Sequence, residues 1–205
     1  MDGLLVNIKI SVNEKIYLKD PESSALGKRI LKHSIELIHA IGFENFNFKK
    51  LGNEIGSNES SIYRYFENKH KLLLYLTSWY WGWLEYKLVF STNGISNTAD
   101  KLVRAIEIIC DVIQEDSRFS HINEVKLSQI LISEYSKSYL TKEVDTENKE
   151  GYFSIYKRLI IRVKEMIENV NPTYQYPASL ASSVVEGALH QHFFKRTFPL
   201  NYRLF

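Results

Sequence analysis

Apolar positions recur with a helical period along most of the chain, and the breaks in that period fall at residues that cap or stop helices. Asp20-Pro21-Glu22 combines a capping Asp, a first-turn Pro and an acid that complements the helix dipole. Leu26, Ile30, Leu37 and Ile41 follow at helical spacing up to Gly42. Asn47 opens a short helix that turns Phe48, Leu51 and Ile55 to one side. Gly56 allows the left-handed backbone that stops it, and Asn58 opens another helix, Glu59 to Tyr65, with Ile62 and Phe66 inward. Asn68 caps a long helix to about Phe90 that carries Leu72, Leu73, Leu76, Trp79, Tyr80, Trp83 and Leu84. Residues 91 to 98 read as a loop, and helices are predicted over 98–115, 122–135, 150–170 and 177–197, the last two separated by Asn171-Pro172. Between 136 and 151 the apolar pattern fades, which predicts a partly mobile polar stretch. At the start, residues 4 to 18 alternate Ile8, Ile10, Val12 and then Ile16, Leu18 around Asn13-Glu14, the pattern of a small hairpin or extended arm. Such an arm either packs on the domain or reaches a DNA minor groove. The pattern as a whole predicts an all-α fold with a short N-terminal β-arm.

The pair of short helices between Gly42 and Lys69 is the most informative stretch. Two helices joined across a three-residue break form a helix-turn-helix. The outward face of the second, Ser60, Ser61, Tyr63 and Arg64, is compact, polar and able to hydrogen bond, as a helix entering the major groove must be. Gly42-Phe43, Asn47, Leu51, Gly56, Ile62-Tyr63, Phe66 and Asn68-Lys69-x-x-Leu72-Leu73 together resemble, without a gap, the N-terminal pattern of the TetR/AcrR-like family of bacterial transcriptional regulators. The resemblance extends upstream through Arg29-Ile30-Leu31 and covers about the first third of the chain. It implies a three-helix DNA-binding module followed by a helical ligand-binding and dimerisation domain. By the same resemblance Asn47, Lys49, Ser60, Ser61, Tyr63, Arg64 and Lys69 face DNA, with Tyr63 and Lys69 on phosphates and Ser61 and Arg64 nearest the base edges. The chain departs from the common pattern at Asn47 (usually Thr), Gly52 (Ala), Ser57-Asn58 (Val-Ser) and Glu59-Ser60 (Lys-Gly). Asn keeps each cap, whereas Glu59 places a carboxylate where a phosphate backbone would approach.

Composition changes this picture little. The 205 residues are 44% hydrophobic and 24% charged, an ordinary globular balance. A net charge of +2 is modest for a nucleic-acid binder, so the charge has to be local. Lys28, Arg29, Lys32, Lys49, Lys50, Arg64 and Lys69 gather in the module, but Glu44, Glu54, Glu59 and Glu67 offset them. No segment is apolar enough to span a bilayer and no signal-peptide core opens the chain, which predicts a cytoplasmic protein with no membrane partner. Cys110 is the one cysteine, which rules out an intrachain disulfide; it sits among isoleucines and reads as core. Enzyme chemistry finds no support: there is no G-x-S-x-G elbow, no phosphate-cradling Gly-rich loop and no compact Ser, His, Asp set. His190 and His192 lie two apart, which diverge on a helix, so neither a metal nor another cofactor is expected.

Three domains are expected: an arm over 1–19, the DNA-binding domain over 20–68 and a helical effector and dimerisation domain over 69–205. The resemblance implies a homodimer on a palindromic operator, acting as a repressor that a small molecule releases by moving the connecting helix. Small residues on the last helix would let helices approach closely, which points to Tyr156, Ile160, Val163, Ser183, Val184, Gly187, Ala188 and Gln191 as a dimer face. Trp79, Trp83, Tyr86, Tyr135, Phe153, Tyr156, His190 and Phe193 are candidate walls for an apolar or aromatic effector, although aromatics at this spacing equally build a core. Glu59 and the low net charge keep a second reading open: a helical ligand-binding or protein-interaction module of this fold that has lost specific DNA recognition.

Overall fold

The computed structural model describes residues 9–197, apart from the side chains of Ser117, Phe193 and 195–197. Among the described residues the regular elements are α-helices and short 3-10 turns. The helices are α1 (Ala25–Asn45), α2 (Phe48–Glu54), α3 (Glu59–Tyr63), α4 (Lys69–Thr92), α5 (Thr98–Cys110), α6 (Glu124–Ser133), α7 (Tyr135–Tyr139), α8 (Val144–Lys149), α9 (Ser154–Val170) and α10 (Pro177–Thr197).

The start signal at Asp20 drives a separate single turn rather than α1. Asp20 accepts from the Glu22 N–H at 2.9 Å and caps the 3-10 turn Pro21–Ser23. Ser24 then caps α1, accepting from the Gly27 N–H at 3.1 Å. The turn folds so tightly onto α1 that a Cβ at Gly27 would lie 2.1 Å from the Pro21 carbonyl oxygen, which leaves room for glycine alone.

The expected hairpin is not formed by the described part of the arm, and residues 4 to 8 lie outside the described residues. Asn13 accepts from the Lys15 N–H and nucleates a 3-10 turn, Glu14–Ile16. An asparagine that bonds its own backbone in this way competes with a strand ladder. Ile10, Val12 and Ile16 are buried. Asn13 Nδ2 donates to the Glu150 carbonyl at 2.9 Å and the Leu18 N–H donates to the Tyr65 carbonyl at 2.8 Å. The arm therefore packs on the domain.

The polar stretch after 135 also folds, into α7 and α8, because its polar side chains find distant partners. Ser138 meets Thr77 at 3.2 Å, and the buried Glu147 meets His70 at 2.7 Å. Helix 98–115 stops early, at Cys110, so that cysteine is half-buried rather than core.

The described chain divides into two compact units, Met1–Tyr80 with Ile113–Phe153, and Trp81–Val112 with Ser154–Phe205. In the first, α1 packs against α2, α6 and the Pro21–Ser23 turn, and α2 packs against α3. Ile30, Leu31, Ile35, Leu51, Ile62, Phe66 and Leu127 are fully buried in it. In the second, α9 packs against α5 and α10, over Ala105, Leu159, Val163, Ala181, Val185 and Leu189. α4 is apolar around its whole circumference, which demands burial on every side, and Leu72 through Leu76, Trp79, Trp81 and Trp83 have almost no exposure.

Two of the buried acids, one in each unit, are held in opposite ways. In the second unit Glu85 is held by Arg158, whose Nε and Nη2 approach its oxygens at 2.7 and 2.6 Å, and by Arg162 at 2.5 Å. Burial pushes the Glu85 carboxyl up, but these bonds and charges outweigh it and hold it below the ordinary carboxylate value. In the first unit Glu124, wholly buried, accepts from the Asp116 N–H at 3.1 Å through Oε2, while Oε1 has no partner. Burial, with Asp116 and Glu115 nearby, pushes this carboxyl up to about 7.

Gly52 illustrates how closely the module is packed. A Cβ there would lie 2.8 Å from the Ser57 carbonyl oxygen in the turn before α3. Alanine is the better helix former by ~1 kcal/mol, but forced overpacking against backbone costs roughly 1–3 kcal/mol. Gly52→Ala is therefore expected to lose on the order of 1 kcal/mol in urea denaturation; a gain in stability would show that the turn moves freely.

Candidate nucleic-acid interface

The reading surface is built by three asparagine caps and one buried seam. Asn47 accepts from the Lys50 N–H at 2.8 Å, Asn58 from the Ser61 N–H at 2.9 Å and Asn68 from the Lys71 N–H at 2.9 Å. Each satisfies an orphan donor at the start of α2, α3 and α4. Gly56, at φ 60, makes the left-handed step that ends the α2 turn. Phe48, Leu51, Ile62 and Phe66 are buried behind the pair, so α3 has its opposite side free. The recognition helix ends at Tyr63 rather than Tyr65, with Arg64 as its C-cap.

Tyr63 is 46% exposed, and its ring stands edge-on to Phe48 with centroids 5.0 Å apart. Phe48 in turn meets Phe46, and Phe46 meets Phe43, so the exposed ring ends an aromatic chain rooted in the core. Asn47, Lys49, Ser60 and Arg64 are exposed and Ser61 is half-exposed. The structure thus brings Ser60, Ser61, Tyr63 and Arg64 onto α3 and its cap, with Asn47 and Lys49 at the start of α2.

Lys69, a phosphate contact by the resemblance, is half-buried and engaged with backbone carbonyls. Its Nζ donates to the carbonyls of Phe43, Glu44 and Phe46 at 2.9, 3.2 and 3.2 Å and lies 4.7 Å from the centre of the Phe43 ring. The ammonium closes the C-terminal carbonyls of α1, where Gly42 at φ 75 has already kinked the helix. Arg29 and Lys50 do the same kind of work, donating to the Ile55 and Asn45 carbonyls. Sequence reasoning counted all three as field charges, because a carbonyl partner leaves no mark in the residue pattern. Lys69→Met keeps the apolar stem and is expected to lower stability by about 1–2 kcal/mol. A variant with unchanged stability and weakened DNA binding would return Lys69 to the phosphate.

Lys49 and Arg64 have no ion-pair partner among the described residues, whereas Glu44 is paired with Lys137 at 3.1 Å and Glu54 faces His33 at 3.8 Å. Glu59 is half-exposed at the first position of α3. On and beside α3, Lys49 and Arg64 stand against Glu59 and the exposed Glu67, with Lys28 and Lys32 exposed on α1.

The candidate effector walls fall in both units. In the first, Trp79 meets Phe119 edge-on, and Tyr139 lies between Tyr135 and Phe153. In the second, Trp81 meets Tyr156 and Lys87 lies over Trp83, while Tyr86 stacks on Phe90. His190 bonds its own helix through Nδ1 to the Glu186 carbonyl at 2.7 Å, and the Phe193 side chain lies outside the described set. A polar cavity of about 450 Å³ in the first unit is lined by other residues, among them Lys32, Glu36, Glu115 and His121. Of the candidate dimer face, Val163 is buried within its own unit and Ser183 is exposed. Tyr156, Ile160, Val184, Gly187, Ala188 and Gln191 are half-exposed. Among the described residues no three His, Cys, Asp or Glu side chains converge as metal ligands, and no helix is long and apolar enough to cross a membrane.

A buried helix pair that presents a short capped helix to solvent has the form of a helix-turn-helix module. Residues 30–76 match the family model of bacterial regulatory proteins of the tetR family. No curated protein matches the chain. Among solved structures it is similar in fold to AibR in complex with isovaleryl coenzyme A and operator DNA, at 16% identity and a TM-score of 0.61, over 86% of this chain and 90% of that one. The fatty acid degradation regulator FadR from Bacillus halodurans aligns at 20% identity over 78% of this chain and 93% of that one, with a TM-score of 0.39.

Proposed function

We propose that the chain binds a palindromic operator as a homodimer, inserts α3 of each protomer into the major groove and represses transcription until a small effector releases it. The observation that carries this reading is the α3 surface: Ser60, Ser61, Tyr63 and Arg64 stand on a helix whose other side is buried at Ile62. Asn47 and Lys49 flank it and would reach the sugar-phosphate backbone. Two such helices about one DNA turn (~34 Å) apart would read a two-fold symmetric site. The DNA-binding domain is assigned to residues 20–68 and the effector and dimerisation functions to 69–205. The family's fold belongs to transcription factors, and no enzymatic role is assigned.

Dimerisation is assigned to α9 and α10. Ile161 and Leu180 are 49% and 39% exposed, and the space beside Gly187, where a Cβ would stand, is open. Apolar and small groups left uncovered by their own chain suit a helix-on-helix contact with a second copy. An effector site for an apolar or aromatic molecule is assigned to residues 69–205; AibR's isovaleryl coenzyme A makes acyl thioesters a second class to test.

Sedimentation of the protein with DNA selected from a random library tests the assembly: two chains per symmetric site are expected, and one chain per site would overturn the dimer. For the effector, a compound that raises the melting temperature is expected also to weaken operator binding. A compound that stabilises the protein and leaves DNA affinity unchanged would fail as an inducer. Glu59 favours a second reading, in which the module no longer reads DNA. A properly dimeric protein that enriches no sequence would support it.

A further inference from the structure

We infer that the N-terminal arm is a strap that positions the reading helix, tying the exit of α3 to the loop that follows α8, and that it does so without touching DNA. The inference rests on the proposed entry of α3 into the major groove.

A helix of five residues has too few bonds of its own to hold its place, so its two ends have to be held. Asn58 holds the entry of α3. At the exit, Tyr63 and Arg64 stand outward, and the next residue, Tyr65, turns inward and is buried. The arm supplies two contacts to Tyr65: the Leu18 N–H donates to its carbonyl at 2.8 Å, and Lys19 Nζ lies 5.1 Å from the centre of its ring. The Tyr65 hydroxyl meets Ser24 Oγ at 2.7 Å. Tyr65 is bonded directly to Arg64, so whatever fixes Tyr65 also fixes where the outward side chains beside it stand.

The other end of the strap is fastened far along the chain. Asn13 Oδ1 accepts from the Lys15 N–H, which can only donate, and Nδ2 faces the Glu150 carbonyl at 2.9 Å, which can only accept. Both amide atoms are assigned by their partners. Gly151, at φ 81, lets the loop come this close, since a Cβ there would lie 3.2 Å from Asn13 Nδ2. Lys15 pairs with Glu150 at 2.6 Å, and the Tyr152 hydroxyl donates to the Lys15 carbonyl at 3.3 Å. The loop is fixed in turn to the first turn of α4: Lys71 donates to the Tyr152 hydroxyl at 2.6 Å, and His70 meets Glu147 at 2.7 Å. Between the two fastenings Ile16 is fully buried and Tyr17 stands edge-on to Tyr75 at 5.9 Å. All of these residues belong to the first compact unit. Asn13 and Leu18 are positioning residues, acting on Tyr63 and Arg64 through Tyr65.

The test uses the full chain, with affinity for a duplex enriched from a random library read by anisotropy at several salt concentrations, and amide hydrogen exchange read on the free protein. Leu18→Pro deletes the N–H that holds Tyr65. The Leu18 side chain is exposed, and Tyr17, at φ −132 and ψ 157, already has the extended backbone that a following proline requires. Leu18→Ala keeps the N–H and serves as the control. Asn13→Asp keeps the acceptor for Lys15 and loses the donor to Glu150. Leu18→Pro and Asn13→Asp are each expected to weaken DNA binding roughly three- to tenfold, with an unchanged slope of log affinity in log salt because no phosphate contact is lost. Exchange of the Tyr65 and Phe66 amides, which donate to the Ile62 carbonyl, is expected to quicken by a similar factor while that of Ile35 in α1 stays as in wild type. Leu18→Ala is expected to match wild type in both measurements. Lys15→Met with Lys19→Met is expected to leave the salt slope unchanged.

Affinity within twofold of wild type in both Leu18→Pro and Asn13→Asp, or unaltered exchange at Tyr65 and Phe66, would make the arm a passive cover and overturn the inference. A shallower salt slope in the double lysine variant would make the arm a DNA contact and overturn it as well. A wild type that enriches no duplex would overturn the proposed function instead, and the exchange measurement, which needs no DNA, then decides on the strap. Should Leu18→Pro lose its fold by circular dichroism, Asn13→Asp decides in both measurements.

Discussion

Alanine at both Lys49 and Arg64 is expected to weaken operator binding by roughly 100-fold near 0.15 M salt, through one phosphate contact and one contact near the bases. Both side chains are exposed and neither has an ion-pair partner among the described residues, so neither contributes measurably to the fold. The melting temperature is expected to stay within about two degrees of wild type. Lys50→Ala supplies the contrast, because its Nζ already serves the Asn45 carbonyl at 2.8 Å and adds less to the field facing DNA. A double variant that binds within threefold of wild type would remove Lys49 and Arg64 from the interface.

The second large effect concerns stability. Glu124 has a folded value of about 7 against an ordinary 4.5, with burial as the leading cause and its Oε1 without a partner. A carboxyl whose folded value is raised holds its proton more tightly when folded. Its penalty is absent below about pH 4.5, grows as the pH rises toward 7 and is complete above that. At roughly 1.4 kcal/mol per pH unit the full penalty is on the order of 3 kcal/mol. Glu124→Gln keeps an acceptor for the Asp116 N–H and carries no charge. It is expected to unfold in urea within about 1 kcal/mol of the wild type at pH 5, and to be more stable by about 2–3 kcal/mol at pH 8. Glu85 works in the opposite sense, since its lowered value gives stability that is present above the ordinary carboxylate range and lost in acid. Every other titrating group is common to both proteins, so the difference between them at pH 5 and at pH 8 isolates Glu124. Parallel pH profiles for the two proteins would show that Glu124 is solvated or partnered in solution.

Much of the reading head was legible before any coordinates. Asn47, Asn58 and Asn68 each cap the helix expected of them, and Ile62 and Phe66 bury the face expected of them. These features are local: a cap needs only the next three residues, and a helical face only its own period. What escaped depends on residues far apart in the chain. The arm alternates like a strand, yet Asn13 turns it and Glu150 receives it 137 positions away. Ser138 and Glu147 look like loop residues until Thr77 and His70 are placed opposite them. The α1 carbonyls that Lys69 serves were not legible from the sequence either. The cap at Asn58 was legible, but its grip on two neighbouring hydroxyls was not, because that depends on side-chain rotamers rather than on residue types.

Each protomer brings Lys49 and Arg64 to this surface, with Glu59 and Glu67 opposing them. Doubling through a homodimer is what would make so few charges sufficient. The most direct test is the salt dependence of wild-type binding to a duplex enriched from a random library, followed by anisotropy from about 0.05 to 0.3 M salt. Saturable binding to a two-fold symmetric sequence is expected, with log affinity falling linearly in log salt at a slope of roughly −2 for about two cationic phosphate contacts per dimer, one Lys49 from each protomer. A salt-independent affinity, or a dimeric protein that enriches no sequence at all, would contradict it.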